Sequence, residues 1–495
     1  MSHSEHSAAA STQLRALAWI CFCGPGLFNA LTSFASGLAD PRVAFAGNAL
    51  VYLSFAVCSL VAAALVPAIG VRRTLTIGSL GYFLYTVSLW NVHNDWLAPL
   101  PVYYAACVVL GVAAGFLWTA QGLMLLSYPS VESQGENVSR FWVIFNMGAT
   151  AGGVISFALN FNQSLSSAAV DNPESSLSRA SNGMYVVFLL LMGGGVALAW
   201  WVIDDSDNVV KDNGEPVYVK PHSSGESSAW RSWQSSVYNA RRVVSSERHR
   251  KILLALLPLF AYSNWFYAYH SFYNTAGFNM RTSGLTSACY WLAQMGGALA
   301  SGSFLDSQMA TTARSLTQST RYARRSQAPW GIARQFLLGF LVLATVMWMI
   351  GWYVQDKWLR LTYQQSLNMD VLTTQASSLL PALLLYIVYG VHDALCQVWI
   401  YWFMSLVTAK DVIASGCYAG VYKSVQAASA ALAWYLGAIQ MDPLTQLQIN
   451  VALCAASVLC ALRCCAFALK SSAIDVELDG RKQNEDAYEA DMLLG

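Results

Sequence analysis

The chain of 495 residues is 56% hydrophobic and only 11% charged, with a net charge of +1 and a mean hydropathy of +0.41. So little charge cannot solvate a globule of this length, and lipid is the expected solvent. A near-neutral balance without a basic stripe or patch argues against nucleic acid as a partner.

With no water in the hydrocarbon layer, a crossing segment must satisfy its own backbone hydrogen bonds, which leaves helices or a closed barrel. Twelve continuous apolar runs, each about 20 residues or longer, select helices. After a polar cytoplasmic tail at 1–13, six are read at roughly 14–36, 44–69, 74–91, 101–127, 141–162 and 183–203. A linker rich in Ser, Asp and Arg occupies 204–250. Six more runs follow at 251–274, 284–306, 332–354, 378–404, 411–437 and 444–468, before a tail at 471–495. The expectation is an all-α polytopic membrane protein with one six-helix bundle over 14–203 and a second over 251–470. The first run is too long for a signal-peptide core and no small-residue cleavage pattern follows it, so it is expected to remain as an anchor.

Lys and Arg concentrate on one side: Arg15, Arg72, Arg73 and Arg140, eight in 204–251, then Arg314, Arg321, Arg324, Arg325, Lys410, Arg481 and Lys482. The positive-inside rule makes both termini cytoplasmic. Asn162-Gln163-Ser164 then falls outside or in a lumen as a glycosylation sequon, whereas Asn137-Val138-Ser139 stays cytoplasmic. Nine of the eleven cysteines lie inside spans and read as small apolar residues. Cys464 and Cys465, near the cytoplasmic end of the last span, read as packing or as palmitoylation sites. In the linker Trp230, Trp233, Val237, Ala240 and Val244 recur at helical spacing beside Arg231, Arg241, Arg242, Arg248 and Arg250, a pattern for a surface helix in the headgroup region or a loop. Glu489, Leu493 and Leu494 fit an acidic dileucine sorting signal for vacuolar or endosomal membranes, the plasma membrane being the other destination.

No paired carboxylates share a span, and there is no metal-ligand cluster, phosphate loop or nucleophile elbow, so neither catalysis nor a cofactor is expected. What stands out is polarity at bilayer depth, which is costly and faces a bundle interior or a wet cavity. The candidates for binding or coupling are Gln121, Asn146, Asn264, His392, Asp393, Gln397, Tyr422, Lys423 and Gln426. Asp393 lies fifteen residues before Thr408 and Lys423 fifteen after it. At about 1.5 Å per residue both sit some 22 Å up their helices, near the middle of a layer about 30 Å thick. A lone ion is disfavoured there, so an Asp393–Lys423 ion pair is predicted, either as a binding site ringed by His392, Gln397, Tyr422 and Gln426 or as a structural clamp. His270 reads as a core or solvated histidine, and the aromatics Tyr262, Trp265, Tyr269, Phe272 and Tyr273 as cavity lining or core.

The halves look like weak repeats: Arg140 to Asn146 aligns with Cys417 to Lys423, and each continues into small residues. Gly111 and Gly115 have the spacing that lets helices approach closely in lipid. The turn Gly70-Val71-Arg72-Arg73, and its second-half counterpart ending at Asp306, resemble the gating-loop motif of the major facilitator superfamily. More specific are Gly115-Phe116-Leu117-Trp118-Thr119-Ala120-Gln121-Gly122, Phe141-Trp142-Val143-Ile144-Phe145-Asn146-Met147-Gly148, Tyr262-Ser263-Asn264-Trp265-Phe266-Tyr267, Phe278-Asn279-Met280-Arg281-Thr282 and Tyr418-Ala419-Gly420-Val421-Tyr422-Lys423-Ser424-Val425-Gln426. Together they resemble the uncoordinated-ninety-three-like family, an outlying branch of that superfamily, especially its fungal members.

The resemblance implies a major facilitator fold of twelve transmembrane helices in two six-helix halves. It implies channel regulation or receptor trafficking for some members and no assigned substrate for many. The first-half loop lacks the acid of its motif, and the fourth span lacks the Arg associated with proton-coupled facilitators, which speaks against drug:proton antiport. Two readings follow. One is a transporter of a small solute or ion that works by alternating access around a central polar site. The other is a non-transporting accessory protein that regulates a channel or the trafficking of a receptor.

Overall fold

The computed structural model describes residues 8–29, 41–159, 161, 182–212, 214–217, 229–315, 321–357 and 367–494. The first span is α1, Ala10–Cys21, which runs on through a π-turn at Phe22–Gly26. Pro25 sits in that turn without an N–H to donate, so the helical ladder widens there instead of continuing. The rest of the first half is α2 Pro41–Ile69, α3 Val71–Asn94, α4 Pro99–Ser127, α5 Gln134–Leu159 and α6 Asn182–Trp201. The linker contains α7, Ala229–Ser245. The second half is α8 Glu247–Gly277, α9 Met280–Ser315, α10 Arg321–Lys357, α11 Ala376–Val407, α12 Val412–Ala438 and α13 Pro443–Leu494.

Each of the twelve expected spans therefore holds a helix among the described residues, in two sets of six on either side of α7. Eight are long and apolar enough to cross a membrane on their own composition. Of the helices that fall short, α9 and α12 are rich in small and polar residues, and they form the principal seams between the halves, α9 on α5 and α12 on α2. A helix covered by other helices has less need of an apolar surface than one facing lipid.

Small residues set how close the seams are. A methyl group added to Gly302 of α9 would lie 2.4 Å from the Gly135 carbonyl oxygen of α5, so the two backbones touch. Within the first half, a methyl on Gly111 would lie 2.2 Å from the Val51 carbonyl oxygen and one on Gly115 would lie 3.0 Å from the Ser59 nitrogen, in keeping with the packing role expected of both.

On the linker side a two-residue parallel ladder joins Ala8–Ala9 to Val209–Val210. Beside it the Gln13 side chain donates to the Val202 carbonyl at 3.1 Å and accepts from the Asp204 N–H at 2.9 Å, which fastens α1 to the end of α6. The linker segment 229–245 is helical rather than a loop, and α7 packs on α2, α8 and α12. Cys464 and Cys465 are buried, the packing reading of the two. Asn162 lies outside the described residues; the backbone at Glu489, Leu493 and Leu494 continues α13.

Candidate functional site

Asp393 is fully buried on α11, where α8, α9 and α11 converge. Its carboxylate accepts hydrogen bonds from the Tyr267 hydroxyl at 2.6 Å, the Tyr290 hydroxyl at 3.0 Å, the Gln294 amide, and Gln397 one turn along at 3.4 Å. The local reason is again small residues. A methyl on Gly390 would lie 2.3 Å from the Tyr290 carbonyl oxygen, and one on Gly297 would lie 3.0 Å from the Ala394 side chain. That closeness of α9 to α11 carries Tyr290 and Gln294, four residues apart on one helix face, to the carboxylate.

Lys423 of α12 is 3% exposed, and its ammonium donates to the Gln426 Oε1 at 2.8 Å. Around it lie the rings of Trp118 at 4.6 Å, Tyr422 at 4.7 Å and Tyr401 at 5.5 Å, within cation–π range. Gln426 donates to the Tyr422 hydroxyl at 2.8 Å and to the Ser263 hydroxyl at 2.9 Å. Tyr422 in turn donates to the Gln397 Oε1 at 2.5 Å, and Gln397 reaches both Asp393 and the Ser263 carbonyl. An unbroken run of buried hydrogen bonds thus leads from Asp393 through Gln397, Tyr422 and Gln426 to Lys423.

The predicted Asp393–Lys423 ion pair is not formed: no ion pair among the described residues joins them. Equal depth left helix rotation undetermined. Asp393 turns toward α8 and α9, where four donors meet it, whereas Lys423 turns toward the first half and its Trp118.

The first half supplies the other wall. The Gln121 Oε1 accepts from the Tyr401 hydroxyl at 2.7 Å across the seam, and the Trp142 ring lies 6.2 Å from that of Tyr401. Asn146, one turn beyond Trp142, is fully buried, and neither atom of its amide has a hydrogen-bond partner. The Thr119 hydroxyl, the Gln121 Nε2 and the Trp142 Nε1 are buried without partners as well. The contacts Gly135 to Gly302 and Gly153 to Ala288 set an antiparallel register that brings Asn146 opposite Gln294, whose Oε1 is also unpartnered.

Of the expected site residues, the structure brings together Gln121, Gln397, Tyr422, Lys423 and Gln426, with Asp393 at one end and Asn146 in the first-half wall. His392 points elsewhere: its Nε2 meets the Tyr262 hydroxyl at 3.0 Å and its ring stacks on Phe340, inside the second half. Asn264 is half-buried and stands apart from this run of hydrogen bonds. His270 is a core histidine stacked 4.3 Å from Tyr389, and Tyr262, Tyr269, Phe272 and Tyr273 are buried with it as core. Sequence reasoning missed Tyr290 and Gln294, although Gln294 lies at the middle of the expected span 284–306.

The gating-loop residues lie at the linker-side ends of the helices. Gly70 has φ +91, which favours glycine, and Arg72 donates to the Ile203 carbonyl at 2.5 Å and pairs with Asp204 at 2.6 Å, while Arg73 is exposed. Asp306 of the second half caps the start of α5 in the first half, accepting from the Gly135 N–H at 2.9 Å and the Glu136 N–H at 2.7 Å. Lys410 adds a bond to Gln134. The carboxylate meets the positive end of the α5 dipole, so it both caps the helix and closes the seam. Replacing Asp306 by Ala should cost about 1 kcal/mol of stability and should speed labelling of an introduced Ser139→Cys thiol by a membrane-impermeant maleimide. Unchanged labelling would remove the latch from the account.

The sequence pattern of the family described as ion channel regulatory protein UNC-93 matches residues 37–301. An UNC93-like protein of Schizosaccharomyces pombe is 31% identical over 442 residues, which cover 88% of this chain and 77% of that one. UNC93-like protein 1 of Arabidopsis thaliana is 29% identical over 450 residues, 88% of this chain and 86% of that one. In three dimensions the chain is similar to the Escherichia coli major facilitator superfamily transporter FucP, with a TM-score of 0.56 and 12% identity over 91% of this chain and 97% of that one. At that identity the likeness is one of fold.

Proposed function

The chain belongs to the UNC-93 family, and from that premise we propose that it is a multi-pass transporter of the major facilitator type, moving a small solute or ion by alternating access. The observation that carries this reading is the buried polar run from Asp393 to Lys423, set against a first-half wall whose Asn146, Gln121, Thr119 and Trp142 keep polar atoms without partners. Polar groups at bilayer depth are costly, buried polar atoms in folded proteins are nearly always hydrogen-bonded, and a scaffold alone would be served as well by apolar packing. Unpartnered groups where two halves meet are what a ligand would satisfy. In this reading the halves, 14–203 and 251–470, rock about the site, the linker and both tails are cytoplasmic, and Asp306 and Lys410 hold the cytoplasmic side shut. Glu489, Leu493 and Leu494 direct the protein to a vacuolar or endosomal membrane.

A second reading is favoured by the family's description as ion channel regulatory proteins: the fold is kept, nothing is moved, and the outer surface holds a channel or receptor. Purification in mild detergent and reconstitution into vesicles separate the two. Saturable solute flux from the protein alone supports transport. A stoichiometric membrane-protein partner, with no flux for any solute class, supports the accessory role.

A further inference from the structure

The ammonium of Lys423 has three N–H groups, and one of them is bonded, to Gln426. The others face the rings of Trp118, Tyr401 and Tyr422, and no carboxylate among the described residues pairs with it. The nearest acid in its network, Asp393, is already met by four donors of its own. A buried cation without a counter-ion is unfavourable in a membrane interior.

The polar atoms beside it are mostly donors. Tyr401 donates to the Gln121 oxygen and so fixes which end of that amide is NH2, leaving the Nε2 free to donate. The Trp142 Nε1 can only donate, and Thr119 offers a hydroxyl. All are buried; Trp118 and Gln121 are one turn apart on α4, and Gln121 and Trp142 both touch Tyr401.

A cleft opens on the linker side. A cleft of about 260 Å³ between α1 and α5 is lined by Arg15 and Arg140 at exposed positions, with Leu14, Ala18, Phe141 and Ile144. Its lining reaches Ala18, three residues before Cys21 on α1, and Ile144, next to Phe145 on α5. Arg140 is paired with Glu136 at 2.6 Å, so Arg15 carries the attraction for anions at this cleft.

We propose that the site between the halves takes a small monovalent oxyanion, such as a simple carboxylate, with Lys423 supplying the charge and Gln121 and Trp142 the hydrogen bonds. The three aromatic faces would suit an organic cation, but the protein's own ammonium occupies them. This inference rests on the transporter reading and names the substrate class.

The test reads binding, not flux. Purified protein in a potassium sulfate buffer is melted with potassium acetate, potassium nitrate, mannitol or tetramethylammonium sulfate added. Acetate or nitrate should raise the melting temperature saturably, since a ligand of the native state stabilises by mass action, and mannitol and tetramethylammonium should not. Lys423→Met should abolish the shift. Trp142→Phe, which keeps the ring and removes one donor, should weaken apparent affinity about tenfold, the loss of one charged hydrogen bond. A saturable response to tetramethylammonium, an anion response that survives Lys423→Met, or no response to either anion overturns the inference. Anion binding without flux would sink the transporter reading alone, and flux of a neutral or cationic solute would sink the anion site alone.

Discussion

Replacing Asp393 by Leu should destabilise the protein in detergent by roughly 3–5 kcal/mol, because it strands the four donors that converge on the carboxylate at about 1–3 kcal/mol for each buried group left unsatisfied. The Tyr267 and Tyr290 hydroxyls can turn to other acceptors, whereas the buried Gln294 amide loses the carboxylate it meets. Asp393→Asn keeps the shape and one acceptor oxygen, so its loss should be nearer 1–2 kcal/mol. Thermal melting of the two variants beside the parent protein checks this. A Leu variant that melts with the parent would mean the carboxylate does not organise these helices.

The second large effect is expected on the other side of the membrane. Arg281, at the start of α9, is fully buried and forms an ion pair with Asp370; it also donates to the Phe161 carbonyl at 2.5 Å, which ties the second half to the end of α5. Arg281→Met leaves a buried carboxylate without its cation, a loss of roughly 3–5 kcal/mol. Burial pushes the Asp370 carboxyl up, but the Leu372 N–H and the Arg281 guanidinium outweigh it and hold the group below the usual carboxylate range. A carboxylate with a depressed folded-state pKa contributes stability that is present above its unfolded value, near pH 4, and is lost as pH falls through the folded value. The parent protein should therefore lose melting temperature as pH falls below about 4, and Arg281→Met should show a shallower acid limb. Parallel acid limbs would show that the pair contributes nothing to the pH dependence.

Much of the fold was legible because span length and apolarity are local properties. The expected run 44–69 is α2, Pro41–Ile69, and 74–91 is α3, Val71–Asn94. That Asp393 and Lys423 belong to one polar cluster was legible too, and the two are joined through Gln397, Tyr422 and Gln426. Which way each faces was not, since helix rotation depends on the neighbours. Asp393 meets Tyr290 and Gln294 because Gly390 and Gly297 admit close packing, a property of two helices about 100 residues apart in the chain rather than of either alone. Trp118 over Lys423 joins α4 to α12 across the seam and leaves no local signal. His392 was expected to ring the site with Gln397, Tyr422 and Gln426, but adjacent residues on a helix diverge by about 100°, and it turned into the core.

In the transporter reading the groups between the halves form a site reached alternately from each side. Asn146 measures it without knowledge of the substrate, because it is fully buried and unpartnered in this conformation. In protein whose native cysteines are replaced, an Asn146→Cys thiol in sealed vesicles should react with a membrane-impermeant maleimide added from the cytoplasmic face, and also, in separate samples, from the opposite face. Protection from both faces, in a variant that melts like the parent, would contradict alternating access and leave the polar run as a fixed part of a non-transporting scaffold.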